Sequence, residues 1–147
     1  MTTSRALAAS LAAALALALA ANAMAATAPP TEASRLASQY SEWAGGKSNA
    51  DALVAGLRNG APITIVTNGA GRSVSIAGFT PATPMSYGNV STALLNAQRS
   101  LSRLGIARPT AEQIQAALIG GEITTPKGST VAVKGSVAAR GAPIASR

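Results

Sequence analysis

From Asn89 onward the apolar residues fall at Val90, Ala93, Leu94, Ala97, Leu101 and Leu104, with Ser91, Asn96, Arg99 and Arg103 between them. Spacing by threes and fours lines one face of an α-helix, so the pattern predicts a helix capped by Asn89 that buries one stripe and solvates the rest. Gly105 stops it, and Ile106 is placed to touch Leu101 as in a Schellman ending. A second helix is predicted from Thr110, whose hydroxyl can cap an orphan amide while Gln113 reaches back in a capping box. Ile114, Ala117 and Leu118 form its apolar side, and Gly120 and Gly121 end it.

The preceding half of the chain has the same rhythm. Thr31 caps a predicted helix with Ala33, Leu36, Ala37, Tyr40 and Trp43 on one face, closed by Gly45 and Gly46. Ser48 is the expected cap of the next, with Asp51 three residues on, Ala50, Leu53, Val54 and Leu57 on one side, and Asn59-Gly60 as the stop. The period then changes from 3.6 to 2. Ile63 and Ile65 alternate with Thr64 and Val66, Asn68-Gly69-Ala70-Gly71 makes a turn, and Val74 and Ile76 alternate with Ser73 and Ser75, which predicts a β-hairpin with one apolar face. The segment GFTPATPMSYG that follows has two prolines, Phe79 and Tyr87, and is expected to be a fixed connection whose aromatics pack down. After the later helix pair, Ile123 and Thr125, a Pro126-Lys127-Gly128 turn, then Val131 and Val133 give another hairpin.

The order is thus helix, helix, hairpin, twice, with half-repeats over 31–78 and 89–135. DALVAGLRNGAPITI and EQIQAALIGGEIT agree in residue type and spacing, Leu53 matching Ile114 and Gly60 matching Gly121, both offset by 61 positions. A lone hairpin is marginal. The expected fold is therefore a single α+β domain over 26–135, in which both hairpins join into one four-stranded antiparallel sheet covered by helices. After Gly135, SVAARGAPIASR has no sustained period, and 136–147 is expected to be a frayed tail.

The first 25 residues change the picture of where the chain works. Arg5 precedes an alanine and leucine run from Ala6 to about Ala21, followed by the small-residue site Ala23-Met24-Ala25 before Ala26, the layout of a secretory signal peptide cut after Ala25. The run is short of the ~20 apolar residues of a membrane-spanning helix. No cysteine follows it, so a lipoprotein anchor has no attachment point. Cleavage leaves 122 of 147 residues, enough for one compact domain. That domain has only four aromatics and no disulfide, so its core must be small and aliphatic.

Removing Arg5 leaves eleven Lys and Arg against the five acids Glu32, Glu42, Asp51, Glu112 and Glu122, a net +6. No three basic residues are adjacent, and a nucleic-acid surface wants a clustered patch or stripe. With neither histidine nor cysteine in the chain, catalytic triads based on them, thiol nucleophiles and the usual zinc ligands are excluded. Lys47, Lys127 and Lys134 lie near Ser48, Ser129 and Ser136, but in glycine-rich turns, where a lysine stays solvated and charged. Glycoside hydrolysis needs two carboxylates about a cleft. Glu42, beside Trp43, is the one acid next to a large aromatic, whereas Glu112 and Glu122 fit a helix first turn and a strand start. Asn68-Gly69-Ala70-Gly71 lies between two strands rather than a strand and a helix, unlike a phosphate loop. Tyr40 and Trp43 would make a sugar-stacking platform if exposed, although their place on the Leu36 face favours the core.

YSEWAGGKSNADALVAGLRNG together with GFTPATPMSYGNVSTALLNAQRSLSRLGIARPTAEQIQAALIGGEITT resembles a group of small exported bacterial proteins with no assigned activity. The shared marks are the W-A-G segment before a leucine-valine-glycine-leucine-arginine helix, the threonine-proline and tyrosine-glycine-asparagine segments, and a proline-threonine helix ending in two glycines. The resemblance covers about 40–135 and implies no cofactor, activity or catalytic residue. Members often continue past the last hairpin with a glycine- and tryptophan-containing segment, where this sequence has ARGAPIASR.

The function expected from the sequence is a non-enzymatic exported protein that contacts an envelope component or a protein partner, with Trp43 and Tyr87 as candidate contact residues. The alternatives are a weak envelope-glycan hydrolase using Glu42 with another carboxylate, and an electrostatic binder of anionic polymer or lipid.

Overall fold

The computed structural model describes residues 30–69 and 73–140. The expected signal peptide with its cleavage residues Ala23, Ala25 and Ala26, the centre of the first turn at 70–72, and 141–147 lie outside the described residues. The element order is α1 (Glu32–Tyr40), α2 (Lys47–Asn59), β1 (Ile63–Asn68), β2 (Val74–Pro81), α3 (Tyr87–Arg103), α4 (Ala111–Ile119), β3 (Gly121–Thr124), β4 (Thr130–Val133) and β5 (Ala139–Arg140). Helix, helix, hairpin is therefore the order of both halves, and the chain is α+β.

The helix ends are set by the residues that cap them. Thr31 accepts from the Ser34 amide at the start of α1. Beyond Tyr40 the chain continues in tight turns to a Schellman closure, in which Gly46 N–H donates to Ser41 C=O at 2.8 Å and Gly45 N–H to Glu42 C=O at 3.3 Å. Gly46 is also the N-cap of α2, at φ 143°, so α2 starts one residue before the expected Ser48 cap. Ser48 falls inside the first turn instead, and Asp51 pairs with Lys47 at 2.8 Å on the surface. The cap of α3 likewise lies earlier than expected: Ser86, not Asn89, holds it, accepting from the Asn89 amide at 3.3 Å. A serine hydroxyl reaches an amide three residues on, and that position puts Tyr87 in the first turn. The Schellman ending at Gly105 forms as expected, Ile106 N–H donating to Leu101 C=O at 2.9 Å. So does the capping box of Thr110 and Gln113.

The stripe Val90, Ala93, Leu94, Ala97 and Leu101 of α3 is buried, and it meets Leu36, Leu53, Leu57, Ile114, Leu118 and Ile123 in one aliphatic core. Tyr40 and Trp43 join that core edge to face, with ring centroids 6.2 Å apart at 73°. Phe79 packs down as expected, but from within β2.

The sheet departs from expectation. β1, β2 and β5 form a three-stranded antiparallel sheet, and β3 and β4 form a separate pair, so the hairpins do not join in one four-stranded sheet. The reason lies in the chain after β4. It crosses the end of α4 at Gly135, where a Cβ would stand only 2.2 Å from the Ile119 carbonyl carbon, and Val137 N–H donates to Leu118 C=O at 2.8 Å. It then reaches the far edge of β2, where Thr80 faces Arg140 and Pro81 faces Ala139. That edge is thereby taken by β5. The expected frayed tail is corrected for 136–140, because Val137 is a buried aliphatic and Ala139–Arg140 is a strand.

Candidate functional site

The first hairpin was expected to gather Ile63, Ile65, Val74 and Ile76 on one apolar face, and its register separates them. Ile63 faces Phe79, Ile65 faces Ala77, Val66 faces Ile76 and Asn68 faces Val74. Directly opposed residues share a face. Ile63, Ile65, Ala77 and Phe79 thus point to the core, whereas Val66, Val74 and Ile76 point outward, with 44%, 58% and 63% of their surface exposed. These three are the exposed large aliphatics among the described residues. Val66 and Ile76 are partners and Val74 is diagonal to Val66, so they form one patch.

A buried side chain fixes this hairpin's position. Asn49, in the second residue pair of the first turn of α2, donates from Nδ2 to Val66 C=O at 2.7 Å and to Ala44 C=O at 2.8 Å, and its Oδ1 accepts from Val66 N–H at 3.1 Å. The carboxamide takes the place of a neighbouring strand's peptide group at the outer edge of β1. One residue on, buried Thr67 accepts at Oγ1 from the Ala111 amide at 2.8 Å and so ties β1 to the first turn of α4. Sequence reading missed both, since a lone Asn in a helical first turn signals capping and its true partner lies 17 residues away.

The residues singled out from the sequence are not assembled together. Trp43 is only 6% exposed, so as a broad surface contact it is corrected: its ring is part of the core, packed on Tyr40. The sugar-stacking platform is absent for the same reason. Tyr87 is half-buried, and the Arg58 guanidinium lies 5.0 Å over its ring while donating to Met85 C=O at 3.2 Å. That cation–π contact covers one face of the ring.

Two adjoining depressions, of about 360 and 160 Å³, share Glu42, Trp43 and Arg108 in their walls. The larger adds Gln39, Gln98 and Ser102, the smaller Thr67 and Asn68. Glu42 is the carboxylate at this place, with Arg108 rather than a second acid across from it. Two-carboxylate hydrolysis needs a partner acid here, and none lines either depression among the described residues. Of the lysine and serine pairs, Lys47 is committed to Asp51, and Ser136 donates to Ala93 C=O at 3.3 Å. No cluster of three or more acidic side chains suited to a metal ion is found among the described residues, and none of their helices is long and apolar enough to cross a membrane.

Compared with known proteins, the chain matches no family model, no curated protein and no solved structure. Among the described residues, the outer face of β1 and β2 holds the large aliphatic side chains that packing leaves exposed.

Proposed function

We propose that the chain is an exported bacterial protein of the periplasm or exterior, freed from a signal peptide over 1–25, that acts without catalysis by contacting an envelope protein. Membership of the group of small exported proteins that its W-A-G and Y-G-N segments resemble is part of the same proposal. The observation that carries the reading is the outer hairpin face, where Val66, Val74 and Ile76 stay 44–63% exposed on the antiparallel β1 and β2 strands. An aliphatic patch of this kind on a small domain fits a protein contact. Its driving force is apolar burial, which salt does not weaken. The chain's net +6, by contrast, would give contacts that fade as salt rises.

The test is capture from a bacterial envelope extract by the 26–147 chain and by its Ile76→Asp variant, each at low and high salt. A partner held by the parent at high salt and lost with Ile76→Asp supports the reading. Capture unchanged by Ile76→Asp overturns it. Many anionic species released at high salt would replace it with electrostatic adhesion.

A further inference from the structure

The two depressions beside Trp43 are not used by the proposed contact, since none of Val66, Val74 and Ile76 lines either one. Their shared charged groups, Glu42 and Arg108, stand on short connections that hydrogen bonds hold in place. Glu42 lies in the turn after α1, where Ala44 N–H donates to Tyr40 C=O at 2.8 Å and Gly45 N–H to the Glu42 carbonyl. Arg108 lies in the link between α3 and α4, bounded on one side by the Ile106 amide bonded to Leu101 and on the other by the Thr110 capping box. Buried Pro109 fixes the backbone between them, and Ala111 N–H ties the link to Thr67 on β1. A ligand meeting these groups does not first have to order the backbone that carries them, which lowers the cost of binding. Neither charge is paired inside the protein. Among the described residues the one ion pair is Lys47 with Asp51, and the side chains of Glu42, Arg108, Gln39 and Gln98 make no hydrogen bond. The apolar part of the larger wall is buried Trp43 and Ile106. The indole N–H of Trp43 is itself an enclosed donor without an acceptor, where buried polar groups are normally paired.

We propose that the two depressions form one binding site for a short peptide with both of its termini free. The pair of opposite, unpaired charges decides the class of ligand. A simple anion placed here meets the Glu42 carboxylate, a simple cation meets the Arg108 guanidinium, and a neutral ligand displaces water from both without replacing it. A zwitterion satisfies the two together. Arg108 takes the ligand carboxylate with its planar fork of donors, and Glu42 takes the ammonium. Gln39 and Gln98, whose amides each donate and accept, suit the N–H and C=O of the peptide link. An apolar ligand side chain packs on Trp43 and Ile106. The larger depression, about 360 Å³, is at the small end of the range for ligand sites, which fits a peptide of two or three residues.

The test titrates L-alanyl-L-alanine, its N-acetyl form and its C-amide form into the intact chain and into Glu42→Gln and Arg108→Gln. Calorimetry reads the affinity, and the emission of Trp43, the one tryptophan of the chain, reports whether binding is at this site. The free dipeptide is expected to bind the parent and change the Trp43 emission, and each blocked form to bind about fivefold more weakly, the size of one exposed charge pair. In Glu42→Gln the penalty for the acetyl group is lost while that for the amide stays, and Arg108→Gln gives the reverse. Each penalty is a ratio within one protein, so a smaller folded fraction cancels from it. No heat and no emission change up to about 10 mM dipeptide overturns the proposal. Heat without an emission change also overturns it, by placing the binding elsewhere. Equal affinity of the parent for all three probes, or penalties that both variants retain, does the same. Alanine binding as tightly as the dipeptide overturns the peptide assignment. No envelope partner takes part and Ile76 is unchanged, so these outcomes are independent of whether Ile76→Asp abolishes capture.

Discussion

The two hairpins follow helix pairs of the same order, yet they are held in opposite ways. β1 and β2 run for six and eight residues, bury six side chains from one face, and have Asn49 on one edge and β5 on the other. β3 and β4 run for four residues each and have no third strand among the described residues, and Ile123 is their one fully buried side chain. Val131 and Val133 are half-buried. A two-stranded ribbon is marginal by itself, so the short hairpin depends on one anchor in the common core, whereas the long one has apolar surface left over. The lesson is that the repeated pattern of elements does not carry repeated energetics. What surplus the molecule has is concentrated in the first half.

The contrast can be broken at its anchors. Ile123→Ala should cost about 3–4 kcal/mol, the full cavity and transfer loss of a buried isoleucine. Val131→Ala, on the next strand and half-exposed, should cost about 1 kcal/mol or less. Urea denaturation of both variants checks the difference; equal effects would mean the second hairpin is held by its strands and not by its anchor. A smaller effect is expected at the edge of the first hairpin. Asn49→Ala leaves the Val66 peptide group without its partner and should cost about 2–3 kcal/mol, while Asn49→Asp keeps the acceptor but loses the donor. Thermal melts of the two variants should therefore both fall below the parent. The smallest effect on folding is predicted for Ile76→Ser, within about 0.5 kcal/mol, because its side chain is already 63% exposed. A clear loss of stability in that variant would show that the outer face is covered in the isolated protein.

What could be read from the sequence was local. The ends of α3 and α4 are fixed by Gly105, Thr110, Gln113 and Gly120, each acting within four residues of its partner, and all were legible. Ser86 was missed because Asn89 is an equally good capping residue, and the choice between them depends on where Tyr87 packs. The face of Val74 and Ile76 was read wrongly for a different reason. Alternation fixes which residues within one strand share a face, but the phase between two strands is set by the turn and by long-range contacts such as Asn49 with Val66. Glu42 and Arg108 come together only in the folded chain, and their separation in sequence gives no sign of it. The strand at Ala139–Arg140 was invisible because two residues have no period, and its position follows from Gly135 fitting against α4.

The carboxamide of Asn49 also bears on how this protein meets copies of itself. A sheet with two open sides can propagate without limit, each added chain presenting the same unpaired rim to the next. Here one rim is stoppered midway by a side chain from the same molecule, so growth of this sheet is available only along the part of β2 that β5 leaves free. Association that uses up the single open side terminates after one addition, in a closed pair rather than a filament. A hairpin that displays aliphatic residues to the medium can in this way stay dispersed.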